Sequence, residues 1–117
     1  MTATDSFADE AILTRLFGDD PKVKIVSVLL AEGRDIDATR IAELGGMGRS
    51  TVYQHIDSLL ELDVVEQTRE VGGSPLYQLN RDSEVAQKLG ELEWALLDEL
   101  AEDGEPAGEF THPDEAN

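Results

Sequence analysis

The sequence has no cysteine. Disulfides, thiolate metal centres and thiol redox sensing are therefore excluded. Aromatic residues make up only 5% of the chain, so any core rests mainly on aliphatic side chains. No apolar run reaches the roughly 18 residues that a membrane-spanning helix needs, and no membrane partner is expected. Met1 to Phe7 holds no basic residue and no long apolar stretch. No signal peptide is read there, and a cytoplasmic location is expected. The two histidines, His55 and His112, stand isolated, and there is no His-x-x-x-His pair, phosphate-binding Gly-rich loop or nucleophile elbow. Neither an enzyme, a metal nor a cofactor is expected.

Basic charge is also scarce. Nine bases, only three of them lysine, face 26 acids, for a net charge of −17. Taken as a sum, this opposes nucleic-acid binding, because carboxylates repel phosphates. The distribution says more. Residues 21–81 carry nine acids and seven bases, a balance of −2, and the flanks carry the remaining −15. Acid-rich, lysine-poor surfaces resemble those of proteins from cells that hold molar salt. There the Debye length falls to about 3 Å and distant acids cost DNA binding little. The alternative is an ordinary acidic protein that avoids DNA. Charge alone leaves both open.

The length of 117 residues fits one domain with helical extensions. Helical spacing of apolar residues marks a first helix over Phe7–Phe17, ended by Gly18. Asp20 followed by Pro21 reads as an N-cap and first helical residue, opening a helix to about Glu32 that Gly33 stops. Asp35-Ile36-Asp37 fits a very short strand, Ala38–Leu44 a short helix, and Arg49 to about Leu62 a further helix. Val65–Arg69 and Leu76–Leu79 read as strands around a tip at Val71–Pro75. Asp82 or Ser83 caps a last helix to about Glu102. The expected organisation is an N-terminal helical extension (1–20), a central domain (21–81), a C-terminal helix (82–102) and a loose acidic tail (103–117).

Two helices joined by the turn Gly45-Gly46-Met47-Gly48 make a helix-turn-helix. A hairpin then follows as a wing. The expected fold class is mostly α with a small β-hairpin: a winged helix-turn-helix with N- and C-terminal dimerisation helices. Ala42 lets the two helices approach closely, and Met47 plugs the space between them. On a helical wheel Val52, Ile56, Leu59 and Leu60 fall on one side, with Tyr53 at its edge. Ser50, Thr51, Gln54, Asp57, Ser58 and Glu61 fall on the outer half. Gln54 can bond adenine N6 and N7 together, Ser50, Thr51 and Ser58 can reach bases or phosphates, and Arg49 can meet a phosphate or a guanine. Arg40, Arg69, Lys22 and Lys24 are further phosphate candidates, each equally readable as a solvated charge. The wing tip carries no cation, so its insertion into the minor groove is not expected. The last helix presents Leu89, Leu92, Leu96 and Leu100, broadened by Trp94, and the first presents Phe7, Ile12 and Leu16. These faces need cover: either a second copy around a two-fold axis or the chain's own domain.

Leu16–Leu79 resembles winged helix-turn-helix transcription regulators of the ArsR and MarR type. The resemblance is carried by Gly18–Val26, by Arg49-Ser50-Thr51-Val52-Tyr53-Gln54-His55-Ile56, and by Leu59–Val65 leading into the hairpin. It implies a homodimer that binds double-stranded DNA and regulates promoters. The acidic balance suggests a halophilic archaeal member, with potassium ions bridging carboxylates such as Asp57 or Glu61 to phosphates. The metal-sensing cysteines of many ArsR relatives are absent. A winged-helix adaptor that binds protein and does not itself read DNA is the alternative.

Overall fold

The computed structural model of the protein describes residues 7–104. The expected loose start (1–6) and the tail beyond Gly104, His112 included, lie outside the described residues. A 3₁₀ turn over Ala8–Glu10 leads into α1 (Ile12–Phe17) and α2 (Pro21–Glu32). Strand β1 (Ile36–Asp37), α3 (Ala38–Gly45), α4 (Arg49–Glu61), β2 (Val65–Val71), β3 (Ser74–Leu79) and α5 (Glu84–Gly104) follow. The three strands form one antiparallel sheet in the order β1-β3-β2. The fold is mostly helical with a small antiparallel sheet after the helix-turn-helix, as in a winged helix.

The helix limits have local causes. The Asp20 carboxylate accepts the Lys22 N–H at 2.8 Å, with Pro21 at the first helical position. Asp37 caps α3 in the same way by accepting the Arg40 N–H at 2.9 Å. Ser83, not Asp82, accepts the Ala86 N–H at 3.2 Å and starts α5. Helix α4 ends by folding its chain back on itself. The Val64 N–H reaches the Leu59 carbonyl and the Asp63 N–H the Leu60 carbonyl, each at 3.0 Å, which is a Schellman motif. The residue that must turn left-handed is Asp63, at φ 63°, where glycine is the usual choice. Val64 then packs inward beside Leu59; both are buried.

The first helix departs from the continuous Phe7–Phe17 expected. Ala11 is extended (ψ 151°) and splits it into the 3₁₀ turn and α1. Ala8 and Leu13 are both buried, yet five residues on one straight helix would place them about 140° apart. The break lets both point inward, so this segment contributes to the domain core. It also carries Asp9 to Lys24, 2.8 Å away. The core collects Ile25, Val28 and Leu29 of α2, Ile41 of α3, Val52, Ile56 and Leu59 of α4, and Val65, Tyr77 and Leu79 of the sheet. Among the residues of α5 whose burial is described, only Ala86 is buried. Leu89, Leu92 and Leu96 lean on the core, while Leu97 and Leu100 remain exposed.

The hairpin is longer and tighter than its sequence suggested. Val71 pairs with Ser74, leaving only Gly72 (φ 58°) and Gly73 (φ 82°) as the turn. Two successive positive φ values give the turn whose twist suits a hairpin. Between Gln67 and Glu70 the register slips, so Thr68 and Arg69 together oppose Leu76 in a β-bulge.

Candidate nucleic-acid interface

The helix-turn-helix is held by its turn. Gly46 is left-handed (φ 68°) and the Met47 N–H returns to the Ala42 carbonyl at 3.1 Å. A Cβ on Gly45 would stand 2.7 Å from the Met47 Cε. The methionine side chain therefore lies across the bare glycine and packs against the core as a plug between α3 and α4. Helix α4 buries Val52, Ile56 and Leu59, the i, i+4, i+7 stripe of a helix seated on one face. Its opposite stripe is Ser50, Gln54, Asp57 and Glu61, all exposed.

That outward stripe is divided. Its first two turns carry Ser50 and Gln54 exposed, with Arg49 exposed in the first turn beside this line and Thr51 half-buried; Ser58, also half-buried, lies one turn further on. Gly48 offers no side-chain cap, so backbone donors at this end are available to an anion, reinforced by the helix dipole. The last two turns carry Asp57 and Glu61 on the same line. Tyr53 extends the outward surface at 40% exposure, which its place at the edge of the apolar side concealed. Beneath it Tyr77 of β3 is buried. Burial, then the nearby Tyr53 and Asp57, push the Tyr77 hydroxyl above its ordinary pKa. The sheet thus supports α4 from below with a neutral phenol.

The cations expected to meet phosphates are not gathered in one patch. Lys24, almost buried, pairs with Asp9 at 2.8 Å. Lys22 lines a small apolar cleft with Phe17, Val23 and Leu89, on the α1/α5 side. Arg40 pairs with Glu43 at 3.3 Å. Arg69 donates to both oxygens of Asp35, at 3.0 and 3.3 Å. Thr68 donates to the same carboxylate. Adjacent residues of a regular strand point to opposite faces, and the bulge lets both turn toward Asp35. These bonds, Arg69 first and Thr68 second, hold the Asp35 carboxyl below its usual range, and Asp35 in turn raises the Arg69 pKa. Arg40 and Arg69 meet, with Arg34, around a shared groove at the wing root. Arg34 had no signal in the sequence, because only β1 pairing with β3 brings it there. Among the described residues only Arg15, Lys22, Arg49 and Arg81 carry no ion pair. Of these, Arg49 alone belongs to α4.

The residues expected to bury a dimer divide as well. Phe7, Leu16 and Leu100 are exposed, whereas Ile12, Leu89, Leu92 and Leu96 lean on the chain's own core. Trp94 lies on another side of α5, about 160° around the helix from Leu96, beside Leu30 and Leu79. No helix among the described residues is long and apolar enough to cross a membrane.

A two-helix unit with a glycine turn, an uncapped second helix and a hairpin wing defines a winged helix-turn-helix. In comparison with known proteins, residues 23–69 match the family model of the IclR helix-turn-helix domain. No curated protein and no solved structure gives a match. The matched segment, similar to an IclR-type DNA-binding domain, runs from α2 through α4 into the wing, and it supports a DNA-binding transcription regulator.

Proposed function

We propose that the protein is a sequence-specific, homodimeric regulator that reads the major groove of double-stranded DNA with the first two turns of α4. The observation that carries this reading is the exposed, uncapped start of α4, with Arg49, Ser50 and Gln54 exposed and no carboxylate among them. In this reading Gln54 reads a base, Tyr53 packs on the groove edge, and Arg49 and the first-turn N–H groups hold a phosphate. Arg34, Arg40 and Arg69 flank the adjacent backbone from the wing root. Asp57 and Glu61 stay toward the groove exit, where potassium ions bridge them to phosphates. A second copy covers Phe7, Leu16 and Leu100, which sets two reading heads about one DNA turn (~34 Å) apart. The ArsR and MarR resemblance, and a halophilic archaeal origin suggested by the acidic balance, are consistent with this arrangement.

The test is a binding assay on native promoter DNA against unrelated DNA, from low to molar potassium chloride. Preference for the promoter that persists in molar salt supports the reading. Equal binding to both DNAs, or to neither, removes it, and a steep loss of affinity with salt removes the bridging ions. The acidic second half of the α4 stripe favours one competitor, a winged-helix adaptor for protein. A stoichiometric protein partner, with no enrichment of DNA in chromatin mapping, decides for it.

A further inference from the structure

One side of α5 is built in a way that neither core packing nor DNA reading explains. Trp94, the sole tryptophan, is 72% exposed. It borders a groove of about 390 Å³ between α5 and the Leu30–Leu79 surface, which Gly90 also lines. From Gly90 a stripe runs through Trp94 and Leu97 to Ala101, all within about 60° around the helix. Trp94, Leu97 and Ala101 are exposed, and the stripe holds no charge, although α5 carries seven acids. An uncharged path thus joins the groove to the C-terminal end of α5. Arg81 lines the groove toward the start of the helix, where the Gln87 Nε2 donates to its carbonyl at 2.8 Å. It carries no ion pair among the described residues. The one carboxylate lining the groove, Glu91, lies 3.6 Å from the Lys88 Nζ. The charge left without a partner in the groove is therefore positive.

The chain beyond Gly104 has the complementary chemistry. Residues 105–117 hold four acids, no lysine or arginine, and one aromatic residue, Phe110. Reach and order agree as well. Trp94 lies about 15 Å back along the helix from Gly104, and Phe110 is about 20 Å of extended chain beyond it. Asp114 and Glu115 follow Phe110, as Arg81 lies beyond Trp94 on the returning path. We infer that the segment after Gly104 folds back along this stripe, seats Phe110 in the groove beside Trp94, and lays Asp114 or Glu115 on Arg81. The planar fork of the guanidinium suits a carboxylate. A short tether holds the segment near millimolar local concentration, so contacts too weak to join separate molecules close here. Leu100, which a second copy covers in the proposed dimer, lies about 120° around α5 from Trp94, so the two partners do not compete. The inference does not rest on the DNA reading.

The sequence has one tryptophan and no cysteine, so Thr111→Cys carries a nitroxide at a single site next to Phe110, and Trp94 alone reports. In the folded full chain the label should quench Trp94 emission about twofold or more, relative to the same sample with the nitroxide reduced, as a contact closed at millimolar local concentration requires. Adding Phe110→Ala or Arg81→Ala should remove most of that quenching with the circular dichroism unchanged, and Arg81→Lys should keep part of it. Without the label, Phe110→Ala should make Trp94 more open to acrylamide. The inference is overturned if the label leaves Trp94 emission unchanged, or if either alanine variant is quenched as the parent is. It is equally overturned if a labelled copy carrying Trp94→Phe quenches the unlabelled parent to the same extent, since a second copy then fills the groove.

Discussion

Helix α4 seats Val52, Ile56 and Leu59 in the domain core and turns polar residues to solvent. Among its described residues, helix α5 buries only Ala86 and leaves Val85, Trp94, Leu97 and Leu100 exposed. Both helices are amphipathic in sequence, but α4 seats its apolar stripe in the core, whereas α5 only leans Leu89, Leu92 and Leu96 against it. A helix whose greasy side is satisfied is rigidly held, and its outer face can be specialised for a ligand at no cost to stability. A helix whose apolar residues outnumber the surface available to them must take a further partner or carry the exposed area. The contrast separates a helix fixed in the core from one left with apolar surface to cover.

The largest effect that can break this contrast is on stability. Ile56→Ala should destabilise the protein by about 2–5 kcal/mol, as truncation of a buried aliphatic residue does. Leu100→Ala should cost less than about 0.5 kcal/mol at dilute protein concentration, as an exposed substitution does. Urea unfolding of the two variants measures both, and similar midpoints would show that α5 is held as firmly as α4. Next in size, Arg49→Ala and Gln54→Ala should each weaken promoter binding by about 1–3 kcal/mol while the melting temperature stays unchanged. Asp57→Ala, one turn further on, should not weaken it. A competition titration against unrelated DNA tells a base contact from a phosphate contact, since only the former changes the preference.

A smaller effect is expected at the end of α4. Asp63→Gly removes a side chain from a left-handed position and should raise stability by about 0.5–1 kcal/mol. A calorimetric scan showing no gain would mean that the carboxylate has a compensating role. The smallest effect is at the wing root. Arg69 and Thr68 lower the Asp35 pKa, so their bonds stabilise the fold above the ordinary aspartate range. That contribution is lost as pH falls through the lowered folded-state value. For an exposed pair it is modest. Asp35→Asn should flatten this part of the acid-unfolding profile. In α5 the sign is opposite: burial raises the Glu93 pKa, so its contribution is present below the ordinary glutamate range and lost as pH rises through the raised value. Glu93→Gln should therefore be the more stable form near neutral pH, with the gap closing in acid.

Much of the fold was legible because its signals are local. Asp20-Pro21, the glycines of the turn, and the spacing of Val52, Ile56 and Leu59 each act within a few residues. The paired Gly72 and Gly73 did so too, although the strands proved longer than their apolar residues indicated. Helix α4 was readable for the same reason, and residues 23–69 matched an IclR-type domain where an ArsR or MarR likeness had been read. The break at Ala11 was hidden, because only the need to bury Ala8 and Leu13 together makes it favourable. The cation site residues were poorly legible, because charge in a sequence does not say which carboxylate lies opposite. Lys24 meets Asp9 and Arg69 meets Asp35 only once distant segments are packed.

What the sequence determined by itself was the order of elements, their caps, and which side of α4 is apolar, since helix periodicity and capping are decided by neighbours along the chain. The tertiary structure decided which charges remain available, which aromatic residues stay exposed, and that Trp94 stands apart from the leucines of its own helix. Those outcomes depend on pairings across long stretches of chain, where Coulomb attraction and burial act on residues that the sequence keeps far apart.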